Sequence, residues 1–187
     1  YQRSRGLGDV YKRQVLEHPE VVSQLHREFI RAGTDIVQAF TYYGHREKLR
    51  LIGKEDLLEP LQKNALQIAK DARDEFKDLD LLVCGDVANT NIYNPDDKKS
   101  HIECQKMYEE QVGWAKEAGV DFIVAETINW TGEMKIALKA IKDAGMIAVT
   151  NFSIKKGDKT REGHTPGDAC KIMEDLGADV VGLNCYR

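Results

Sequence analysis

The sequence predicts an α/β protein of parallel strands joined by helices, and three observations support this class. From Leu16 onward, helix-like and strand-like segments alternate along the chain. The strand-like segments are almost continuously apolar, which is typical of parallel strands buried on both faces. Glycine follows several helix-like segments, where it commonly ends a helix. Five such units leave two architectures open: a doubly wound sheet, or part of a (β/α)8 barrel, which needs ~250 residues when complete.

The elements can be assigned in order from periodicity and capping residues. The segment HPEVVSQLHREFIRAG predicts a first helix, with Pro19 in its first turn and Gly33 at its end. Further helices are predicted in LLEPLQKNALQIAKDARDEF, ECQKMYEEQVGWAKEAG, TGEMKIALKAIKDAG and TPGDACKIMEDLG. Thr165 is the expected N-cap of the last of these helices. The five predicted strands begin at Asp35, Leu81, Asp121, Met146 and Asp179.

The first fourteen residues, YQRSRGLGDVYKRQ, differ from the rest of the chain. They contain several basic residues and two glycines but no apolar periodicity. We interpret residues 1–14 as a non-native or disordered leader, with residues 15–187 forming one domain that is part of a barrel.

Composition and charge exclude several classes of protein. The net charge of -4 gives no electrostatic footprint for nucleic acid. No apolar run reaches the ~18 residues of a membrane span, and no signal-peptide pattern is present. The four cysteines show no paired spacing, which favours a reducing, cytoplasmic setting with free or metal-bound thiols. The five histidines include no HExxH pair, and the chain contains neither GxGxxG nor a Walker-type phosphate loop.

Chemically useful side chains follow the predicted strands, where parallel α/β folds gather their function. Residues 40–43 (Phe-Thr-Tyr-Tyr) end the first strand, and Asp86 ends the second. Glu126 ends the third strand, and Asn184 and Cys185 end the fifth. An acid, a thiol and an aromatic pair at one rim indicate a site for a small polar substrate.

The same residues are also compatible with purely structural roles. Cys185 could be a small packed thiol, Glu126 a partner in an ion pair, and Asp86 a cap of the following loop. Tyr42 and Tyr43 could pack the core and rim. The other cysteines are predicted to be packing residues: Cys84, Cys104 and Cys170.

Three segments together resemble the homocysteine S-methyltransferase family, and in particular its betaine–homocysteine branch. They are QLHREFIRAGTDIVQAFTYYGHREKL, VDFIVAET and ADVVGLNC, which occur in the family's order on βα units. The resemblance runs from about Leu16 to Tyr186. It implies an incomplete (β/α)8 TIM barrel, roughly strands two to six, in which residues 15–187 form a partial homocysteine-binding domain.

The resemblance also implies a zinc-dependent methyl transfer to the homocysteine thiolate, giving methionine. The family holds Zn²⁺ with three cysteines, one of which closes a Gly-[Val/Ile]-Asn-Cys motif that here is residues 182–185. The other two belong to a Gly-Gly-Cys-Cys segment and are expected downstream of Arg187. The chain is therefore expected to be a fragment that binds no stoichiometric zinc and is inactive alone.

Roles for individual residues follow from the same resemblance. Cys185 is implied as the metal ligand, and Cys185 and Glu126 as the catalytic residues. Glu126 is expected to grip the substrate amino group, with Asn184 beside it at the substrate. Residues Phe40, Tyr42 and Tyr43 are expected to line the methyl-donor pocket, where aromatic faces attract a quaternary ammonium or sulfonium.

Two departures from the family pattern leave the methyl donor open. Thr127 stands where the betaine branch has an aromatic residue, and Ala39 where the family often has threonine. Betaine, a sulfonium compound and a corrinoid-bound methyl group all remain candidates. Oligomerisation is possible.

Three other interpretations are compatible with the sequence. The chain could be the homocysteine-binding module of a cobalamin-dependent methionine synthase, a non-catalytic barrel remnant, or an unrelated α/β barrel enzyme. The main interpretation predicts strands in sequential order, apolar side chains exposed at two unpaired edges, and convergence of Glu126, Cys185 and residues 40–43 on one rim.

Overall fold

The computed structural model describes residues 14–154 and 158–185. Of the predicted leader, residues 1–13 lie outside this part, as does Tyr186 at the end of the resemblance. The interpretation of residues 1–14 therefore stays a prediction.

Helices and strands alternate as the sequence predicts. The helices are α1 (Pro19–Arg31), α2 (Arg46–Arg50), α3 (Leu58–Asp74), α4 (Lys98–Ala118), α5 (Thr131–Asp143) and α6 (Pro166–Asp175). The strands are β1 (Ile36–Gln38), β2 (Leu82–Ala88), β3 (Phe122–Ile128), β4 (Ile147–Ser153) and β5 (Val180–Asn184). The short helix α2 and a 3-10 turn at Glu55–Leu57 were not predicted. Thr165 caps α6 as expected, because its side chain accepts a hydrogen bond from the Asp168 backbone N–H.

The five strands form one parallel sheet in the order β1-β2-β3-β4-β5. Every strand pairs with its neighbour in sequence, whereas a doubly wound sheet reverses direction at a switch point. The sheet is thus part of a (β/α)8 barrel, and the predicted fold class is confirmed. A consequence for function is that the carboxyl ends of all five strands share one rim.

The two faces of the sheet differ in what covers them. The helix-facing side carries fully buried apolar residues such as Val83, Ile123 and Phe152, which belong to the main hydrophobic core. The opposite face has a small separate cluster, in which Cys84, Phe122 and Val124 are buried together. Polar residues continue this second face toward the carboxyl ends of the strands, and they build the candidate site.

Apolar side chains are exposed on or beside both outer strands of the sheet. Leu25, Phe29 and Ile36 line a groove beside β1, and all three are exposed. On β5, Val180 and Leu183 are exposed. The predicted exposure at both edges is confirmed for the described part of the chain, whereas self-association stays a prediction.

Truncation of a core side chain and of an edge side chain should change the stability of the protein by very different amounts. Phe152 on β4 is 0% exposed and pairs in register with Leu183 on β5, which is 46% exposed. Phe152→Ala should lower the free energy of unfolding by about 3–5 kcal/mol, because it leaves a cavity under the helices. Leu183→Ala is the control and should change it by less than about 0.5 kcal/mol. Equal effects in chemical denaturation would show that the helix-facing side is not the main core.

Candidate active site at the rim of the sheet

Glu126 lies at the carboxyl end of β3, where two side-chain amides hold its carboxylate. The Gln38 Nε2 atom on β1 donates to Oε1 at 2.9 Å, and the Asn184 Nδ2 atom on β5 donates to Oε2. Each carboxylate oxygen can accept a further hydrogen bond. Neutral amides fix the orientation of the carboxylate without neutralising it, so its charge remains available for a cationic ligand.

The Asn184 side chain reaches from β5 to β3 and connects the two strand ends by hydrogen bonds. Its Oδ1 accepts from the Thr127 backbone N–H at 3.1 Å, and its Nδ2 donates to Thr127 Oγ1 at 3.0 Å. On the same strand, Gly182 leaves room for the Asn151 side chain of β4, since a Cβ at Gly182 would lie 2.8 Å from Asn151 Oδ1. Asn184 therefore positions Glu126, and direct binding of substrate by Asn184 stays a prediction.

Cys185 follows β5 at the rim and carries a free, exposed thiol. Thr127 Oγ1 donates to its Sγ at 3.9 Å. Cys185 and Thr127 both have positive φ, 47° and 60°, which is uncommon for residues other than glycine. Such conformations tend to cluster at functional sites, where the surrounding structure holds them in place. The thiol and Glu126 are thereby linked through Thr127 and Asn184.

Tyr42 and Tyr43 follow β1 and form an aromatic corner. Their ring centroids lie 4.3 Å apart with a 60° tilt, and Tyr43 also has positive φ. The Tyr43 hydroxyl donates to Asn89 Oδ1 at 3.0 Å. Burial raises the pKa of Tyr42, opposed by a hydrogen bond with Thr127, so the ring stays a neutral phenol at physiological pH. A neutral electron-rich ring is suited to cation–π contact.

A pocket of about 620 Å³ lies at this rim. Tyr42, Tyr43, Thr127 and Cys185 contribute to its wall. The other lining residues are Asn89, Asn91, Tyr93, Asn129, Trp130, Glu133, Ser153 and Arg161. Four aromatic rings and a thiol thus surround one space, which suits a small organic cation beside a sulfur centre.

The structure does not bring every predicted residue to this pocket. Phe40 packs against the apolar cluster that includes Val22 and Leu61, and it lines the groove beside β1. Glu126 does not line the pocket wall, but it adjoins the pocket through Thr127. The assignment of Phe40 to the donor pocket stays a prediction.

Sequence reasoning missed Gln38, Trp130 and Arg161 as residues of the site, and it gave Asp86 no role in binding. Gln38 is a polar residue within an apolar strand, and that contrast is the signal that could have identified it. Asp86 does not cap the following loop as one interpretation held, because its carboxyl is buried and accepts from Gln38 Nε2 at 3.0 Å. Trp130 and Arg161 come from loops, where no periodicity indicates which side chains meet.

The remaining cysteines lie away from the rim pocket. Cys84 and Cys104 are buried, as predicted for packing residues, and burial raises the pKa of each thiol to about 12. Cys170 is half-buried on α6. Residues 14–154 and 158–185 contain no group of three or more His, Cys, Asp or Glu side chains placed to hold a metal ion. Over the same ranges, no helix is both long enough and apolar enough to cross a membrane.

Comparison with known proteins identifies the same family that the sequence motifs resemble. The family model for homocysteine S-methyltransferase matches residues 3–187. Betaine–homocysteine S-methyltransferase 1 from Sus scrofa is 35% identical over 176 residues, which cover 91% of this chain and 61% of that protein. The Mus musculus protein of the same name is 34% identical, and its match covers 91% of this chain and 42% of that protein.

A solved structure shows the same fold. The homocysteine methyltransferase MmuM from Escherichia coli, in its metallated form, matches with a TM-score of 0.80 at 19% identity. The match covers 94% of this chain and 66% of that chain. This chain thus spans 61% and 42% of the length of the two curated relatives described above. On the family match and these identities, the chain belongs to the homocysteine S-methyltransferase family.

Proposed function

We propose that the full-length protein containing this chain transfers a methyl group to the thiolate of homocysteine and releases methionine. One observation carries the proposal. An exposed thiol, Cys185, and a carboxylate, Glu126, are joined on one rim by Asn184 and Thr127, beside an aromatic pocket. A carboxylate can bind the ammonium of an amino acid while the pocket receives the methyl donor. The similarity to betaine–homocysteine S-methyltransferases supports the same reaction class.

The proposal includes Zn²⁺ held by Cys185 and by two cysteines downstream of Arg187. Cys185 fits this role as one ligand, because its thiol is free, exposed and located at the rim. Residues 14–154 and 158–185 hold no complete ligand set, and the proposal places the further ligands outside them. When bound, Zn²⁺ supplies positive charge that favours the thiolate form of a coordinated thiol. The metallated state of MmuM supports testing for a metal.

The residues of this chain orient the two reactants. Glu126 binds the substrate ammonium, and the amides of Gln38 and Asn184 prevent the carboxylate from turning away. Tyr42 and Tyr43 line the pocket that would receive the positively charged donor, and Lys48 Nζ already lies 5.1 Å from the Tyr43 ring centroid. Holding the reactants in line converts a bimolecular collision into a positioned transfer, which is a large part of such rate enhancements.

The pocket favours a small onium donor over a corrinoid. Four aromatic side chains, Tyr42, Tyr43, Tyr93 and Trp130, line a space of about 620 Å³. Quaternary ammonium and sulfonium groups are recognised by such surroundings.

The free thiols are compatible with a reducing compartment, and we propose that the enzyme acts in the cytoplasm.

An assay of the full-length protein tests the proposal. Homocysteine should yield methionine with betaine or with a sulfonium such as S-methylmethionine or dimethylsulfoniopropionate, as measured by mass spectrometry. Methylcobalamin is the comparison donor, and turnover with it alone would favour a cobalamin-dependent synthase module. Absence of methionine with every donor, from folded and zinc-loaded protein, would favour the non-catalytic barrel.

A further inference from the structure

The buried carboxyl group of Asp86 on β2 has an unmet hydrogen-bonding capacity. Its side chain is 3% exposed, and its Oδ2 atom accepts from Gln38 Nε2 at 3.0 Å. Its Oδ1 atom is buried and accepts no hydrogen bond from an N–H or O–H donor of the described residues, whereas its carboxyl group lies within hydrogen-bonding reach of that of Glu126. A buried carboxylate oxygen without a donor is costly, so the free site is stabilised when the Asp86–Glu126 pair holds a proton, and a bound donor could take the place of that proton.

The carboxyl groups of Asp86 and Glu126 both accept hydrogen bonds from the side-chain amide of Gln38. The Gln38 Nε2 atom donates to Asp86 at 3.0 Å and to Glu126 at 2.9 Å, which uses both of its hydrogens. No Lys or Arg of the described residues forms an ion pair with either carboxyl group. Two adjacent carboxylates without a cation cannot both be ionised at low cost.

The groups that face Asp86 supply no positive charge. Burial, followed by the charge of Glu126 and a hydrogen bond with its carboxyl group, raises the pKa of Asp86 well above its usual range, although the hydrogen bond from Gln38 acts in the opposite direction. The Cys84 thiol shares its strand and has a raised pKa, mainly because it is buried. His26 and Tyr42 line the same groove; burial lowers the pKa of His26 and raises that of Tyr42, so both are neutral near pH 7.

We propose that Asp86 is a specificity-determining residue that holds a proton in the empty site and exchanges it for the ammonium group of the thiol substrate. The O–H bond of the carboxyl breaks, the proton leaves to solvent, and an ammonium N–H donates to Asp86 Oδ1. The ammonium then lies between Asp86 and Glu126, and one positive charge compensates the pair. This inference rests on the proposed function, because it assumes an aminothiol substrate at Glu126.

Calorimetry with two thiols tests the exchange in the full-length, zinc-loaded protein. Homocysteine is compared with 4-mercaptobutanoate, which lacks only the amino group. Each thiol releases the same proton from sulfur when it becomes a thiolate. Titrations at pH 7 in buffers of different ionisation enthalpy should therefore show up to one additional proton released with homocysteine.

The isosteric change Asp86→Asn removes the exchangeable proton and the second negative charge. Homocysteine affinity should fall by about 10- to 100-fold, the range for a lost hydrogen bond to a charged group. The affinity for 4-mercaptobutanoate should stay within about twofold, and the additional proton should disappear. Homocysteine binding by the wild type should also weaken as the pH falls, because the higher proton concentration competes with the substrate ammonium for Asp86.

Equal losses of affinity for both thiols in Asp86→Asn would show a structural role and overturn the inference. Equal proton release by the two thiols in the wild type would also overturn it, and this measurement decides the question if the variant does not fold. A wild type that methylates homocysteine but shows equal proton release retains the proposed function and loses only the inference. A wild type that binds neither thiol would contradict both.

Discussion

Changing Cys185 to alanine in the full-length protein should abolish zinc binding and methyl transfer together. Cys185 is the exposed thiol beside the rim pocket, and catalytic zinc sites commonly have three protein ligands. Even changes to residues that only support metal ligands cost about 10- to 100-fold in metal affinity or activity, so loss of a ligand should cost more. Zinc content by mass spectrometry and methionine formation should be measured on the same preparation.

Cys170→Ala is the matched control for this experiment. Cys170 is half-buried on α6 and does not line the rim pocket, so both zinc content and activity should stay close to those of the wild type. Loss of activity in Cys185→Ala with zinc at full occupancy would contradict the assignment of Cys185 as a ligand. Loss of both properties in the control would point to general unfolding.

Glu126→Gln should raise the KM for homocysteine by about 10- to 100-fold, the range for a hydrogen bond to a charged group. The substitution removes the negative charge that would bind the substrate ammonium. It also places an amide nitrogen against either Gln38 or Asn184, both of which donate hydrogen bonds to this side chain. The KM for the methyl donor should change little, because Glu126 does not line the pocket wall.

Steady-state kinetics with each substrate varied in turn measures the KM for homocysteine and the KM for the methyl donor separately. Glu59→Gln removes an exposed carboxylate on α3 and serves as the charge-matched control. Equal increases in KM for both substrates would indicate a disturbed rim, and an unchanged KM for homocysteine would show that Glu126 does not bind it.

The parallel direction of the strands could be predicted from local patterns, whereas their sequential order was predicted only from the resemblance to a known family. Apolar runs such as FIVA in β3 are typical of strands buried on both faces, and the intervening helices favour the parallel direction. Once strands are parallel, Glu126 and Cys185 must lie at the same rim. Their meeting is thus a consequence of topology, although the sequence does not identify which atoms connect them.

The finer geometry could not be predicted, since it depends on backbone conformation outside regular structure. β1 ends at Gln38, so the alternation of side chains gives no direction for Phe40, which packs on an apolar cluster, or for Tyr42, which faces the pocket. The positive φ of Thr127 and Cys185 has no signature in residue type. The convergence of Asp86 on Gln38 requires side-chain positions from two strands at once.

The coordination of zinc by sulfur in the full-length protein tests the central claim most directly. X-ray absorption at the zinc edge counts sulfur neighbours at the ~2.3 Å expected for zinc–thiolate bonds. The proposed function predicts three sulfur ligands in the free protein and four when homocysteine is added, with Cys185→Ala lacking bound zinc. Stoichiometric zinc without sulfur from Cys185, or a sulfur count that homocysteine leaves unchanged, would contradict the proposed function.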